Sequence, residues 1–279
     1  MNTKPTQTAL DPNTIKISAA EFKHFQSWIY AAAGINLADH KQALVMGRLA
    51  QRLRHYQLRD YGEYFQLLTS GKFPTEAQIT VDLLTTNETH FFREPKHFDF
   101  LRQHIIPAHP SGKPLRVWSA ASSSGEEPYS IAMTLAATLG ERQWEVLASD
   151  LSSRILDRAR TGHYAMARAK SIPREYLTAY CLKGIDEYDG TFLVDPKIRN
   201  RVQFMQINLN NALPQLGEFD VIFLRNVMIY FDLPTKRQVV SRLLKQLRPN
   251  GYLLIGHSES LHDVSSEVKP VMPAVYRKA

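Results

Sequence analysis

Acidic side chains follow the first of several apolar runs in the sequence, where nucleotide-binding proteins usually place a phosphate. The stretch VWSAASSSGEEPYS, residues 117–130, closes an apolar run with small residues and then presents Glu126 and Glu127. Two carboxylates would repel a phosphate, but they would accept hydrogen bonds from ribose hydroxyls or from an ammonium group. The loop also lacks the G-x-G-x-x-G and G-x-x-x-x-G-K-[ST] patterns. The sequence therefore predicts a neutral or cationic ligand, and it argues against a dinucleotide or a nucleoside triphosphate.

A purely structural explanation of the same loop stays open. Ser124 followed by Glu127 fits a capping box, and acidic residues in a first helical turn stabilise a helix by about 0.3–1 kcal/mol. Asp150 favours ligand binding, because it ends the apolar run WEVLASD at an offset from the glycine loop that suits hydrogen bonding to a ribose. An Asp in this position can also cap a helix, although Ser152 or Ser153 could do so here.

Polar residues follow two further apolar runs. INL, residues 207–209, places Asn208 where an amide could meet an adenine edge, and LRNVMIYF places Asn226 and Tyr230 after another run. An Asn at the end of a strand is often only a turn residue, and a Tyr between apolar residues is often core. The inference of a ligand site depends on all these residues lying at one edge of one sheet.

Short apolar runs that alternate with helical segments would position these residues. The runs are too continuously apolar to have one wet face, which indicates a largely parallel sheet with helices on both faces. Ligands bind at the carboxyl ends of the strands in such sheets. The predicted strands are LRVWSA, WEVLASD, VQFMQIN, FDVIFLRN and GYLLIGHS, and the predicted helices between them are IAMTLAATL, SRILDRAR and PTKRQVVSRLLKQL.

The part of the chain before the sheet has apolar residues at helical spacing, which predicts an all-helical domain. A further helix is expected from Pro95 until Pro107 stops it. Turn residues around short strand-like pieces predict a small β insertion. TFLV, residues 191–194, is its most plausible edge strand, and a structural hairpin is an equally good interpretation of the same segment. The predicted boundaries are a flexible N-terminus at 1–17, a helical domain at 18–86, a connecting segment and linker at 87–114, and an α/β domain at 115–279 whose β insertion covers about 181–202.

Composition restricts the class of protein. The chain has 279 residues, 44% of them hydrophobic, and contains neither an apolar run of membrane-spanning length nor a secretion signal. We therefore expect a cytoplasmic protein. The single cysteine, Cys181, agrees with a reducing compartment and has no pattern that would make it a nucleophile. The net charge of +7 suggests an acidic partner, which from charge alone could be nucleic acid, an anionic membrane or an acidic protein.

Several motifs together resemble one family. NETHFFREP, VWSAASSSGEEPYSIAM, LASD, RNVMIYF and GYLLIGHSES, in this order, look like the chemotaxis receptor methyltransferases of the CheR type. The resemblance extends from Ser18 to Lys278. It implies a helical N-terminal domain and a Rossmann-like class I S-adenosylmethionine-dependent methyltransferase sheet with an antiparallel β insertion. It also implies methylation of glutamate side chains on the cytoplasmic helical bundle of chemoreceptors, with S-adenosylhomocysteine as the second product.

The resemblance also assigns roles to individual residues. Arg93 would bind a carboxylate, either of the cofactor's methionine part or of the incoming glutamate, although an Arg after two Phe can be an ordinary surface cation. Asp150 would hold the ribose, and Tyr230 would position the reacting groups or pack as an aromatic wall. Arg93 and Tyr230 are the candidate catalytic residues. The expected cofactor contacts are Asn87, Thr89, Arg93, Glu126, Glu127, Asp150, Asn208, Leu209 and Asn226.

A basic helix offers a candidate surface for the receptor. On a helix that advances about 100° per residue, Lys41, Arg48 and Arg52 share one side, while Arg54 points elsewhere. Such a stripe is usually a solvated face, but the resemblance suggests that these four residues bind the acidic helices of a receptor. In some members of the family the β insertion binds a peptide from the receptor's C-terminus by adding a strand. No insertion into a membrane is expected.

Other signals are weaker. His90, His97 and His104 are spaced by seven, but no carboxylate or cysteine pattern completes a metal site, so no metal is predicted. Two alternative functions remain. A nucleic-acid methyltransferase would suit the basic charge, but the basic stripe has no interleaved aromatic residues for stacking bases, so no nucleic acid is expected as a partner. A non-catalytic receptor-binding module would keep the fold without the reaction.

Overall fold

The computed structural model describes residues 15–140 and 142–279. The chain divides into two compact units, a helical unit that ends at Thr86 and a sheet unit that runs from Asn87 to Ala279. Most of the N-terminal segment predicted to be flexible, residues 1–14, lies outside the described residues. Ile17 corrects the rest of that prediction, because its side chain is buried and its N–H donates to Met46 Sδ at 3.2 Å. Within the described residues, no helix has the length and apolar character needed to cross a membrane.

Helices form the described part of the helical unit, as predicted. The first begins with a capping box, in which Ser18 Oγ accepts the Glu21 N–H at 3.2 Å and Glu21 Oε2 accepts the Ser18 N–H at 2.7 Å. It ends where Gly34 takes a left-handed conformation with φ 71°. Buried aromatic and aliphatic residues of all the helices form the core. The helices are α1 (Ala19–Ala33), α2 (Gln42–Tyr56), α3 (Tyr61–Thr69) and α4 (Pro74–Leu84).

A buried glutamate connects α2, α3 and α4. Glu76 has no exposed surface and accepts hydrogen bonds from Arg52 at 2.8 and 2.6 Å, from Tyr64 at 2.7 Å and from Tyr56 at 3.0 Å. Burial would raise the pKa of Glu76, but these hydrogen bonds outweigh it, and the pKa lies below its ordinary value. Arg52 therefore stabilises the helical unit, because removing either member of a buried pair leaves an uncompensated charge.

The predicted cationic stripe needs correction for this reason. Arg48 also points into the unit, where it donates to the carbonyl oxygens of Leu84 at 2.8 Å and Thr85 at 3.0 Å. Lys41 lies in a short 3₁₀ turn before α2 rather than on the helix itself. Lys41 of the stripe and Arg54, which points elsewhere, are exposed, so these two of the four predicted basic residues remain available to a partner.

The helix predicted to stop at Pro107 instead includes this proline and ends at Ala108. Its middle part, Leu101–Ile105, is a π-helical turn, and the Ile106 N–H donates to the Leu101 carbonyl five residues back. Pro107 then lies in the first turn of the final segment, where its missing N–H has no helical partner to lose. The segments are α5 (Lys96–Phe100), the π-helical turn and α6 (Ile106–Ala108).

The described residues of the sheet unit form a main sheet of seven strands and a small sheet of three. The main sheet has the order β6-β2-β1-β7-β8-β10-β9, in which the first five strands are parallel and β10 pairs antiparallel with both β8 and β9. The strands are β1 (Leu115–Ser119), β2 (Trp144–Asp150), β3 (His163–Ala165), β4 (Cys181–Lys183), β5 (Thr191–Val194), β6 (Val202–Gln206), β7 (Phe219–Leu224), β8 (Leu247–Ile255), β9 (Val268–Met272) and β10 (Val275–Lys278).

Both faces of the main sheet are covered, which confirms the prediction made from its continuous apolar strands. On β1, Val117 belongs to the apolar cluster of one face and Trp118 to that of the other, and both are fully buried. The first cluster includes residues of α7, and the second includes residues of α11. The helices of this unit after α6 are α7 (Glu126–Leu139), α8 (Ser153–Thr161), α9 (Arg174–Tyr180), α10 (Pro196–Arg199) and α11 (Leu233–Gln246).

Two strands of the main sheet, β9 and β10, were not predicted. Pro270 lies within β9, and Pro273 lies in the turn between the two strands. Proline normally argues against a strand, but it is tolerated on an edge strand. Since β9 is an edge strand of the main sheet, the proline costs the sheet no inner ladder hydrogen bond.

The small sheet starts earlier than the predicted β insertion. Its order is β3-β5-β4, so it begins at His163 rather than near Cys181, and Val202 already belongs to the main sheet. The prediction that Thr191–Val194 is an edge strand is wrong, because this segment is the central strand β5. Fully buried Phe192 and Val194 suit that central place. The edges of the small sheet are β3 and β4.

Candidate functional site

The main sheet places the predicted ligand residues at one edge. β1 pairs with β2 on one side and with β7 on the other, so the chain order reverses between β1 and β7. A crevice forms outside the carboxyl ends of strands at such a point. The residues predicted from the strand ends follow these strands: Glu126 and Glu127 after β1, Asp150 at the end of β2, Asn208 and Leu209 after β6, and Asn226 after β7.

Asp150 binds the backbone of the loop after β1. Its Oδ2 accepts the Ser123 N–H at 2.8 Å, and its Oδ1 accepts the Ser152 N–H at 3.0 Å. Ser123 Oγ in turn donates to the Asn87 carbonyl oxygen at 2.9 Å. The structure therefore brings together Asn87 and Asp150, two of the predicted cofactor contacts, through Ser123.

The two glutamates after β1 are each paired with an arginine. Glu126 is fully buried, and it accepts hydrogen bonds from Arg168 and, at 2.6 Å, from Ser124 Oγ. Glu127 accepts from Arg225 at 2.8 Å and from Ser119 Oγ at 2.7 Å. The negative charge that the sequence suggested for the loop is therefore balanced within the protein. The carboxylates keep lone pairs for further hydrogen bonds.

The capping box proposed for Ser124 and Glu127 is absent. The helix α7 begins at Glu126, and Gly125 before it has φ 97°, a conformation that favours glycine. A Cβ at Gly125 would also lie 2.7 Å from the Tyr164 hydroxyl. No side chain caps this helix. The two side chains of the pattern have other partners, since Ser124 Oγ donates to Glu126 and Glu127 accepts from Arg225.

A buried guanidinium lies at the centre of this edge. Arg225, whose side chain is only 2% exposed, donates to Glu94 at 2.9 Å and to Glu127 at 2.8 Å, and it also donates to the Arg93 carbonyl oxygen. We call Arg225, Glu94 and Glu127 the arginine–glutamate cluster. Burial would raise the pKa of Glu94, but the charge and hydrogen bonds of Arg225 lower it to about 2.

Sequence reasoning missed Arg225, Glu94 and Glu259, the last of which accepts the Asn226 N–H at 2.9 Å. Each stands beside a residue or strand end that was noted: Glu94 follows Arg93, Arg225 precedes Asn226, and Glu259 follows β8. A rule that inspects every charged residue next to a predicted strand end would have found Arg225 and Glu259. Glu94 lies before the sheet, and its place at the site depends on contacts across 131 positions of the chain.

Strained backbone also concentrates here. Four non-glycine residues of this edge have positive φ: Phe92 at 52°, Glu94 at 58°, Ser123 at 48° and Asn226 at 57°. Such conformations persist only where surrounding contacts hold them, and they are common at functional sites. The contacts of Glu94, Ser123 and Asn226 are the ones that join the loops of the site.

Arg93 differs from the two other arginines at this edge. It is partly exposed, and its Nη1 donates to the Glu88 carbonyl oxygen at 3.2 Å. Among the described residues it forms no ion pair with a carboxylate, whereas Arg168 and Arg225 both do. Arg168 also donates to the carbonyl oxygen of Thr89, another predicted contact, at 3.3 Å. Arg93 is therefore the arginine of this edge whose guanidinium is available to a carboxylate ligand.

Glu94, His97 and His257 have ligand atoms within 4.8 Å of one another, an arrangement that could hold a metal ion. His97 is fully buried, its ring nitrogens have no hydrogen-bond partner among the described residues, and burial followed by the charge of Arg225 lowers its pKa to about 3. Against a metal stands Arg225, whose Nη2 lies 2.9 Å from the Glu94 oxygen that a metal ion would use. This positive charge would repel a dication, so the site does not favour one.

The remaining candidates lie apart from these contacts. Tyr230 is in a short 3₁₀ turn, Met228–Tyr230, four residues after Asn226, and its hydroxyl has no hydrogen-bond partner among the described residues. Asn208 Oδ1 accepts the Asn210 N–H at 2.9 Å, and Leu209 is buried. The four basic residues predicted to bind a receptor belong to the helical unit.

Comparison with known proteins identifies the family. The CheR methyltransferase SAM-binding domain matches residues 87–276, and the CheR methyltransferase all-alpha domain matches residues 20–85. The chain belongs to the CheR methyltransferase family. The chemotaxis protein methyltransferase of Escherichia coli strain K12 is 44% identical to this CheR family member over 251 residues, which cover 88% of this chain and 86% of the relative.

Other relatives span as much of the chain. The chemotaxis protein methyltransferase of Salmonella typhimurium is 41% identical over 256 residues, or 91% of this chain and 88% of the relative. That of Borreliella burgdorferi is 35% identical over 289 residues and covers both chains in full. The family match confirms the predicted fold, an all-helical N-terminal domain followed by a class I methyltransferase sheet with a small antiparallel sheet.

S-adenosylmethionine is the cofactor of this CheR family member. The strand-end residues fit such a ligand. They provide carboxylates and amides rather than a phosphate loop. In the loop after β1, the Ser122 hydroxyl is buried without a hydrogen-bond partner among the described residues, so this loop retains unused polar capacity.

The arginine–glutamate cluster predicts how the unfolding free energy depends on pH. Because the pKa of Glu94 falls from 4.5 to about 2 on folding, ionised Glu94 stabilises the chain above pH 4.5. That contribution, about 3 kcal/mol from a pKa difference of this size, is lost as the pH falls from 4.5 towards 2. Glu94→Gln should therefore be less stable than the wild type at pH 7, and the difference should shrink over this acidic range.

Urea unfolding of both chains across the range measures the difference. Glu267→Gln, which changes an exposed glutamate of the same unit, serves as the control and should follow the wild type. A gap between the wild type and Glu94→Gln that stays constant with pH would contradict the ionised, Arg225-bound state of Glu94.

Proposed function

We propose that this CheR family member transfers the methyl group of S-adenosylmethionine to glutamate side chains of methyl-accepting chemotaxis receptors and so forms glutamate methyl esters. The family match and the relatives called chemotaxis protein methyltransferase support a role in chemotaxis. The choice of a glutamate as acceptor rests on the charges at the ligand edge and on the chemistry of the reaction.

One observation carries the proposal: Arg93 lies at the ligand edge and forms no ion pair with any described residue, while the glutamates around it are neutralised by Arg168 and Arg225. An unpaired guanidinium binds a carboxylate with two parallel hydrogen bonds. A net excess of local negative charge would repel an acidic acceptor, and pairing of Glu126 and Glu127 removes that excess. The edge is thus suited to an anionic substrate side chain.

The residues proposed to hold the cofactor are those at the strand ends. Asp150 would accept hydrogen bonds from the ribose hydroxyls, and Asn208 with Leu209 would contact the adenine. Asn87, Thr89 and Asn226 would bind its remaining polar groups, and Glu126 or Glu127 would use a spare lone pair towards its ammonium group. When bound, S-adenosylmethionine supplies a methyl group on a positively charged sulfur.

The acceptor chemistry requires no general base. A glutamate side chain has a pKa near 4.3, so it is already ionised at pH 7. One of its oxygens forms the new bond to the methyl carbon as the carbon–sulfur bond breaks, and no proton moves. The protein's task is to align the acceptor oxygen, to exclude water and to balance charge. Arg93 and Tyr230 are the residues proposed for this task.

Transfer of labelled methyl groups tests the function. Receptor membranes, RNA and DNA are incubated in parallel with labelled S-adenosylmethionine and the wild-type chain. We expect base-labile label on the receptor, and none on a receptor whose acceptor glutamates are replaced by Ala. Base-stable label on nucleic acid would instead establish a nucleic-acid methyltransferase, and tight binding of S-adenosylhomocysteine without any transfer would establish a non-catalytic module.

Tyr230→Phe tests the proposed positioning role. Removing the hydroxyl, which has no partner among the described residues, should lower kcat by about tenfold or more because a misplaced acceptor reacts slowly. The affinity for S-adenosylhomocysteine should stay nearly unchanged in a calorimetric titration. Tyr252→Phe, at a partly buried tyrosine of strand β8, is the matched control. Unchanged turnover would limit Tyr230 to a packing role.

Lys41 and Arg54 are proposed to attract the acidic helices of the receptor. Arg48 and Arg52, although predicted for the same role, have their guanidinium groups bound inside the helical unit. Their contribution to receptor binding would be to keep α2 in place. We therefore expect changes at the exposed residues Lys41 and Arg54 to weaken receptor binding directly.

The double change Lys41→Glu with Arg54→Glu should raise KM for the receptor by about fivefold or more, with kcat preserved, and should weaken the salt dependence of binding. Lys23→Glu with Lys72→Glu alters the net charge equally at exposed positions of the same unit and serves as the control. Equal increases in KM for the two double changes would show that only the net charge of the unit matters. They would exclude a specific receptor-binding surface at Lys41 and Arg54.

A receptor peptide that adds a strand has β4 as its proposed place. β4 is an edge of the small sheet, and Leu182, Ile185 and Tyr188, on and beyond it, are between 49% and 69% exposed. Backbone hydrogen bonds to the free edge would supply affinity, and these apolar side chains would supply pockets. The earlier candidate, Thr191–Val194, is paired on both sides and has no free edge.

Leu182→Asp tests this peptide site. The change should weaken binding of a fluorescent peptide from a receptor C-terminus by about tenfold or more, whereas Val271→Asp, on the edge strand β9 and 50% exposed, should leave it unchanged. Fluorescence anisotropy measures both. Equal binding by the two variants would exclude β4.

A further inference from the structure

Glu259 joins the loops that follow β7 and β8. Its Oε2 accepts the Gly256 N–H at 2.7 Å and the Asn226 N–H at 2.9 Å, and its Oε1 accepts the Ile229 N–H at 3.3 Å. A carboxylate has about four lone-pair positions, and three are used here. The side chain thus binds backbone groups of two loops that are about thirty residues apart in the sequence.

The bonds to Asn226 and Ile229 fix a short segment with a defined conformation. Asn226 has φ 57°, which is uncommon for a residue other than glycine and needs support from its surroundings. Glu259 holds its N–H, and Glu94 Oε1 lies 3.3 Å from its side-chain nitrogen. The Ile229 N–H belongs to the 3₁₀ turn Met228–Tyr230 and has no acceptor within that turn.

Gly256 makes room for the carboxylate. A Cβ at this position would lie 2.4 Å from Asn226 Nδ2, 2.9 Å from Glu259 Oε2 and 3.0 Å from the Asn226 backbone nitrogen. A side chain here would therefore displace the loop after β7. Gly256 leaves the space that the Glu259 carboxylate occupies. Together these two residues allow the segment after β8 to support the loop after β7.

We propose that Glu259 is a positioning residue for the methyl transfer. It holds Asn226 in the conformation that binds the cofactor, and it holds the turn that carries Tyr230 towards the acceptor. The inference rests on the proposed function for the roles of Asn226 and Tyr230. Glu259 itself acts through backbone hydrogen bonds, since its oxygens are occupied by amide groups, and it needs no contact with the reacting atoms.

Kinetics of Glu259→Ala and Glu259→Gln test this role. Glu259→Ala removes both oxygens that accept the three amide hydrogen bonds and should lower kcat by about tenfold or more, because a displacement near 1 Å in a site can cost about a hundredfold. Glu259→Gln keeps one oxygen for two of the amides and should recover most of the activity. Glu267→Ala, at an exposed glutamate of the same C-terminal region, is the control and should match the wild type.

Combination with Tyr230→Phe separates positioning from general stability. If Glu259 acts through the Tyr230 turn, Tyr230→Phe should cost much less kcat in the Glu259→Ala chain than in the wild type. A purely structural role would make the two losses multiply. Multiplying losses, or normal kcat in Glu259→Ala, would overturn the proposal. If Glu259→Ala fails to fold, the same comparison uses Glu259→Asp, whose shorter side chain cannot reach both loops.

Hydrogen exchange distinguishes failure of this proposal from failure of the proposed function. The amides of Asn226, Gly256 and Ile229 should exchange faster in Glu259→Ala than in the wild type, while those of the central strands β1 and β2 stay protected. This measurement needs no methyl acceptor. Unchanged exchange of the three amides would refute the role of Glu259 even in an active enzyme, whereas an inactive wild type with the expected exchange would refute only the proposed function.

Discussion

The shared guanidinium of Arg225 is the interaction on which the ligand edge of the sheet unit depends. It donates to Glu127 at the start of α7 and to Glu94 in the segment before the sheet, and its side chain is almost fully buried. Without it, two largely buried carboxylates would lie close together with no counterion. A lysine could not replace it, because a compact ammonium lacks the planar fork that serves two carboxylates at once. The loops after β1 and β7 and the segment around Arg93 therefore share one point of attachment.

Most of the strands that could be predicted from the sequence are buried on both faces. β1, β2, β7 and the second half of β8 appear as apolar runs because helices cover each side of a parallel sheet. The edge strand β6 was also predicted, although its Gln203 and Gln206 are exposed. β9 and β10 were not predicted because Pro270 interrupts the apolar pattern. The strand order of the small sheet was not predicted because the apolar segment TFLV suits a central strand and an edge strand equally well. The pattern of apolar and polar residues along a strand indicates which of its faces are buried. Which strands pair with it depends on residues that are distant in the sequence.

The ligand residues were predictable only as positions at strand ends. Asp150 and Asn226 could be located because their strands were, but the contacts that hold them could not be predicted. Asp150 binds the Ser123 N–H, and Asn226 is held by Glu259. The basic stripe shows the same limit, since helix geometry places Arg52 on a face but says nothing about Glu76, which is 24 residues away and pairs with it. Whether a charged residue stabilises the fold or binds a ligand can be decided only when its contacts in the structure are known.

The edge strand β9 has a consequence for association between molecules. Pro270 has no amide hydrogen to offer, and Lys269 and Arg277, paired across β9 and β10, add positive charge along this border. A second chain that paired with β9 would meet few free backbone N–H donors. If it approached with its own β9, the basic residues of the two strands would repel each other. Edge-to-edge oligomers through this side of the main sheet are thus disfavoured, even though the sheet does not close into a barrel.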